Sequence, residues 1–394
     1  MGEFSDRVYL MPAAGTPMRW PKAWTDPAAL ALLEGTAIGT LLIDNSDEFE
    51  SVRARAGQVG FAVVHPDAPP DGVTIVRGAW PGVKRPRGGA DAEAGPTGVP
   101  WVDSNGWRVR LAKAMHAGTA VWIDAAPPAD GFLRPGAYLL AVADAAAYGG
   151  RWIVSLADPF AADLLAGKPP AAAAWKTISD AAGFFARHAS WDAYEPVANV
   201  ALISDFAGKN EFFSQELLNL LARAGLHTAV WPKDRAGEVR GVRAAIYPDV
   251  QPPSPELLRK LMAFAAGGGL VIGRAGVLPA SEGVARVKMD DPYEVAQDAA
   301  LRISHRYDLV RCWNAGAFGS YVAKARDGGR AVAHLLFYAD RGPDEASVRI
   351  AGRYREVQAC EVTGPVRAEV VRQADAIEVH LPQVSQYVAL ELTV

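Results

Sequence analysis

Hydrolysis of a glycosidic bond needs two carboxyl groups facing each other across it, roughly 5–5.5 Å apart for retention and 6.5–9.5 Å for inversion. Three aspartates stand where a fold would present them: Asp44 after TAIGTLLI, Asp124 after AVWI, and Asp103 in the loop segment GPTGVPWVDSNGWRVR (Gly95 to Arg110). Asp103 and Asp124 are the first candidate pair and Asp44 the third member. Asp47 and Glu48 lie on an adjoining loop. Which carboxyl would be the acid depends on burial and neighbours, so the sequence leaves that open. A helix cap or a turn is the structural alternative for Asp124, and Asp103 or Ser104 would cap a helix starting near Trp107.

The segment around Asp103 also concentrates groups that recognise sugars. Trp101 and Trp107 offer flat faces for the apolar side of a sugar ring, and Asn105 offers hydrogen bonds to hydroxyls. Asp158, after WIVSL, is a further strand-end contact. Asp205 and Glu211 follow NVALIS, where parallel α/β sheets bind ligands. Acidic residues at a helix N-terminus give the structural alternative for those two.

Other chemistries lack local support. There is no G-x-S-x-G elbow, no phosphate loop and no G-x-G-x-x-G after a strand. The seven histidines are scattered and no CxxC is present, so neither a metal nor any other cofactor is expected. Cys312 and Cys360 read as buried thiols. A net charge of −4 and a single short basic stretch, Lys84 to Arg87, argue against nucleic acid. No apolar run is long enough to cross a membrane. Met1 to Ser5 has no leader character, and the compartment stays open: periplasmic or secreted if a native leader was removed, otherwise cytoplasmic.

The elements that must position these residues begin as alternating strands and helices. Five strands are read in the first part: Thr36 to Asp44, Phe61 to His65, Val73 to Arg77, Ala120 to Asp124 and Trp152 to Leu156. Helices are read at Glu48 to Gly57, Trp107 to Met115, Pro135 to Tyr148 and Trp175 to His188. Such alternation requires a parallel sheet, and five strands fall short of a full barrel's eight. From Val197 a second α/β pattern predicts a flavodoxin-like three-layer domain, with strands at Asn199 to Ser204, Thr228 to Trp231, Ala244 to Tyr247 and Leu270 to Ile272. Short evenly spaced apolar runs from Ser320 to Val394 predict an antiparallel β-sandwich.

This order resembles the family 42 β-galactosidases, on the segments ANVALISDFAGKNEFFSQELLNLL (Ala198 to Leu221) and GRAVAHLLFYAD (Gly329 to Asp340). The resemblance implies an α/β multidomain protein: an incomplete TIM-like barrel over 1–195, an amidotransferase-like α/β domain over 196–285 and a C-terminal antiparallel β-sandwich over 286–394. It implies a saccharide substrate and self-association through the middle domain. No match to the family's catalytic Asn-Glu pair is found. Two alternatives therefore stand beside a glycoside hydrolase: an inactive carbohydrate-binding or assembly protein of the same architecture, and a small-molecule enzyme centred on Asp205 and Glu211.

Overall fold

A computed structural model of the protein describes residues 15–84, 101–127, 133–303 and 305–394. Met1 to Ser5, the basic stretch beyond Lys84 and the Gly95 to Pro100 part of the candidate recognition loop lie outside the described residues. The chain divides into two compact units. One comprises the residues up to Pro81 with His116–Ala189; the other comprises Gly82–Met115 with Ser190–Val394.

The first unit opens with β1 (Thr16–Arg19), β2 (Ile38–Leu42), α1 (Glu50–Gln58), β3 (Ala62–Val64) and β4 (Val73–Arg77). The chain then gives β5 (Gly82–Val83), β6 (Val102–Asp103) and α2 (Gly106–Met115) to the second unit. It returns with β7 (Ala120–Asp124), α3 (Pro135–Ala146), β8 (Arg151–Trp152), α4 (Asp158–Leu165) and α5 (Pro169–Arg187).

The strands pair in parallel as β1-β2-β3 and β4-β7-β8. A parallel bridge from Met18 to Val154, just past β8, joins the two runs. The order is thus β3-β2-β1-β8-β7-β4, in which the last strand returns beside the first. Val64, Val73 and Ile75, from the two outermost strands, pack in one core with Leu42, Trp122 and Ile153. Strands buried on both faces read as continuous apolar runs, as in AVWI.

The strand count of five is corrected to six by β1. Its sequence, TPMR, has no alternation and contains Pro17. The register shifts between Thr16 and Pro17, a place where proline is tolerated in a strand. The Pro17 carbonyl still accepts from the Val154 N–H at 2.9 Å.

The second unit adds β9 (Glu195–Pro196), β10 (Val200–Ser204), α6 (Glu211–Arg223), β11 (Thr228–Pro232), β12 (Ala244–Tyr247), α7 (Pro255–Ala266), β13 (Leu270–Arg274), β14 (Val284–Val287) and α8 (Pro292–Ile303). Strands β11-β10-β12-β13-β14 form one parallel sheet. Alternate side chains define its two faces. Val200, Leu202, Ala244 and Ile246 meet α6, α8 and Trp107 of α2 on one side. Ala201, Ile203, Ala245 and Tyr247 meet α7 on the other. α7 starts where Ser254 Oγ accepts from the Leu257 N–H at 3.2 Å, with proline at the first turn. Ser254→Ala is expected to cost about 1 kcal/mol, measured as a shift in the denaturation midpoint at unchanged m.

The remaining strands are β15 (Val310–Trp313), β16 (Phe318–Lys324), β17 (Arg330–Phe337), β18 (Ala346–Ala351), β19 (Glu356–Glu361), β20 (Gly364–Val366), β21 (Glu369–Arg372), β22 (Ala376–Leu381) and β23 (Tyr387–Thr393). They pair antiparallel as β15-β18-β22-β21 and β20-β19-β23-β17-β16-β9. Val322, Leu335 and Phe337 of one sheet share a core with Val348, Ile350 and Val379 of the other. Cys312 and Cys360 are both free thiols, and burial pushes each up to about 12.

Candidate functional site

Parallel strands share one carboxyl end, and in the first unit charged side chains gather there. Asp124, the last residue of β7, binds Arg19, the last residue of β1, with Nη2 to Oδ2 at 2.8 Å. Their side chains are 33% and 35% exposed, so the pair lies at a rim rather than in the core. Asp44 lies two residues past β2 and is exposed, and its Oδ1 accepts from the Ser46 N–H at 2.9 Å. Asp158 is exposed in the first turn of α4. Trp80, three residues past β4, packs edge-on against Trp152 and Tyr138, and its indole N–H donates to the Ala126 carbonyl at 2.7 Å.

The candidate recognition loop belongs to the second unit. Asp103 ends β6 opposite Gly82 and is half-buried. Trp101 is half-buried against the unit's core, with the Arg223 guanidinium 4.1 Å over its ring. Burial pulls the Arg223 pKa down, against the charges of Glu216, Tyr293 and Asp103. Asn105 has no exposed surface, and Trp107 is only 8% exposed with the Arg108 guanidinium 4.3 Å over its ring. Asn105 and Trp107 therefore pack the core of this unit, and the only carboxylate of the segment, Asp103, is in a different unit from Asp124 and Asp44.

A second charged group stands at the carboxyl edge of the five-stranded sheet. Lys233 Nζ, just past β11, lies 2.5 Å from Asp205 Oδ2 and 2.8 Å from Asp249 Oδ2. Asp249 is fully buried, and Ser204 Oγ donates to its Oδ1 at 2.5 Å. The Asn210 amide donates to both Asp205 oxygens and to Gln251 Oε1. Phe206 turns the chain at a left-handed φ of 53°, and its N–H donates to Ser204 Oγ at 3.0 Å. Burial raises the Asp205 pKa, but the Lys233 ammonium, the Asn210 amide and the Ala207 N–H outweigh it, so the group lies below its ordinary value. Burial likewise pulls Lys233 down, and the two carboxylates more than reverse this. The network closes on itself, so its first consequence is to fasten three strand ends. Glu211 remains exposed in the first turn of α6.

Ser204, Lys233 and Asp249 were not among the sequence candidates. A signal was present, because β11 and β12 both end in an aromatic residue, a proline and a charged residue: Trp231-Pro232-Lys233 and Tyr247-Pro248-Asp249.

His227, just before β11, is buried, with Nε2 3.3 Å from Ser320 Oγ. Burial, reinforced by the Arg110 charge, lowers its pKa from 6.5 to about 4. The unfolded chain therefore takes up a proton near pH 6.5 that the folded chain refuses until about pH 4. The associated stability is complete above pH 6.5 and lost as pH falls toward 4. The loss is expected to be on the order of 3 kcal/mol, and His227→Gln should flatten that part of the stability–pH curve.

Among the described residues, no helix is long and apolar enough to cross a membrane, and no three His, Cys, Asp or Glu side chains are grouped to hold a metal ion.

No family model and no curated protein sequence matches the chain. Solved structures do. The α-L-fucosidase isoenzyme 2 of Paenibacillus thiaminolyticus superposes with a TM-score of 0.52 at 12% identity, over 73% of this chain and 62% of the fucosidase. The β-galactosidases of Bacillus circulans sp. alkalophilus (TM-score 0.46, 9% identity, 69% and 61% coverage) and Rahnella sp. R3 (0.45, 10%, 74% and 57%) are also matched. The chain spans less than two thirds of the length of each of these proteins. Its fold is that of an α/β multidomain protein similar to glycoside hydrolases.

Proposed function

We propose that the protein acts on a saccharide as a glycoside hydrolase, with Asp124 as one carboxylate of the reacting pair and Asp44, from the same unit, as the other. The observation that carries this is the Arg19–Asp124 pair at the shared carboxyl end of the six parallel strands. That end is where α/β folds of this kind place their chemistry. A positive charge develops on the sugar ring in the transition state, and a fixed carboxylate beside it lowers the barrier. Arg19 holds the Asp124 side chain in one direction, as such catalysis requires.

The return of the last strand beside the first supports reading this part as a shortened barrel. The three layers around β10 to β14 support an amidotransferase-like domain, and the shared core of β15 to β23 supports a terminal sandwich. On this reading the three domains span 1–195, 196–285 and 286–394, with residues 82–115 packed in the second unit.

A second reading, saccharide binding without turnover, is favoured by one observation: an oxygen of Asp124 is already engaged by Arg19. A screen of aryl glycosides, including galactosides and fucosides, with wild type beside Asp44→Asn and Asp124→Asn separates the two. Hydrolysis that Asp124→Asn abolishes supports the first. Glycan binding with no hydrolysis supports the second. Neither binding nor hydrolysis would overturn both.

A further inference from the structure

A groove of about 350 Å³ opens on the outer face of the six-stranded antiparallel sheet, a volume at the small end of ligand sites. Its floor follows from strand alternation. On β17, Ala331, Ala333, Leu335 and Phe337 enter the shared core, so Arg330 points to the opposite face. By the same rule Glu391 and Thr393 of β23, and Glu356 and Gln358 of β19, point outward beside it. The register sets Arg330 opposite Thr393 and Thr393 opposite Glu356, while Glu391 lies opposite Gln358. These side chains thus form a ladder across three neighbouring strands, about 9–10 Å wide. Trp191 and Tyr194, from the turn leading into the sheet, complete the wall. Trp191 is fixed edge-on against His334 at 5.2 Å, and His334 Nδ1 is bonded to the Tyr387 hydroxyl at 2.7 Å, so the aromatic wall rests on buried support.

We propose that this groove is a second saccharide site, independent of Asp124 and of the reading placed on it. The lining mixes two acceptor-only carboxylates, one donor-only guanidinium and several groups that both donate and accept. An anion would meet Glu356 and Glu391. A polycation would meet Arg330. An apolar ligand would leave the floor's polar groups unpaired. A neutral polyol satisfies all of them, because each of its hydroxyls both donates and accepts, and its apolar ring face suits the half-buried ring of Tyr194, with the buried Trp191 behind it.

The test uses the full chain carrying 5-fluorotryptophan, with the Trp191 resonance assigned by its loss in Trp191→Phe. The probes are methyl β-galactoside, methyl α-fucoside and methyl β-glucoside, with spermidine as the cationic control. At least one glycoside is expected to move the Trp191 resonance saturably in the millimolar range, and Glu391→Gln with Gln358→Ala should weaken that response at least about tenfold, a loss of about 1.4 kcal/mol. Glu356→Ala, at an exposed position, gives an independent variant with little effect on folding. No shift with any glycoside, an equal shift in the variants, or a response to spermidine alone would overturn the proposal.

Discussion

Lys233→Met is expected to lower the free energy of unfolding by about 3–5 kcal/mol. Lys233 is the cation between Asp205 and Asp249, and the side chain of Asp249 is fully buried. Removing one partner of a buried pair leaves a charge with neither water nor counter-ion, which costs more than the pair contributes when intact. Lys233→Arg keeps the charge and should retain most of the stability.

The pH dependence gives a second signature. The Asp205 pKa is lowered, so its contribution is present above its ordinary value of 3.8 and lost as pH falls through the folded value. The Lys233 pKa is raised, so its contribution is present below 10.5 and lost as pH rises through the folded value. In Lys233→Met, Asp205 loses the cation that helps hold its pKa down, so protonating it costs the variant less stability than it costs wild type. The gap between variant and wild type should therefore narrow as pH falls toward the carboxylate range. Denaturant unfolding from about pH 2 to pH 8 measures this, and a gap below about 1 kcal/mol at neutral pH would show the network to be energetically idle.

Asp124→Asn is expected to reduce turnover of the best aryl glycoside by about 10²–10⁴-fold, the usual contribution of a positioned acid–base or charge-stabilising group. Stability should barely move. The ion pair with Arg19 is about one third exposed, and such pairs contribute roughly 0–1 kcal/mol. The two quantities together identify the role, because loss of turnover at an unchanged denaturation midpoint separates chemistry from folding. Arg19→Gln should give a smaller fall in kcat, since it frees the Asp124 carboxylate without removing it.

The legibility of the fold followed burial. Ala120–Asp124 and Ala244–Tyr247 are readable to the residue because strands covered on both faces are continuous apolar runs. The antiparallel strands alternate, as VRI of β18 and IEVHL of β22 do, and were readable for that reason. Thr16–Arg19 was not, because its strand character comes from its neighbours β2 and Val154, and its own residues carry no pattern. The site inherits this difference. Asp124 stood out because it ends a clear strand, whereas Arg19, its partner, ends the strand that the sequence conceals. Trp107 and Asn105 drew attention as a polar and aromatic loop, yet α2 turns them into the core of the second unit. A dense segment carries no record of which face it will present.

The most direct test is a crystal structure of Asp124→Asn soaked with the saccharide that wild type hydrolyses or binds best. A sugar ring seated at the carboxyl ends of β1, β2 and β7, within hydrogen-bond distance of Arg19 and of the side chain at position 124, is the predicted result. Sugar found only elsewhere on the molecule, with that end of the first unit bare, would contradict the account.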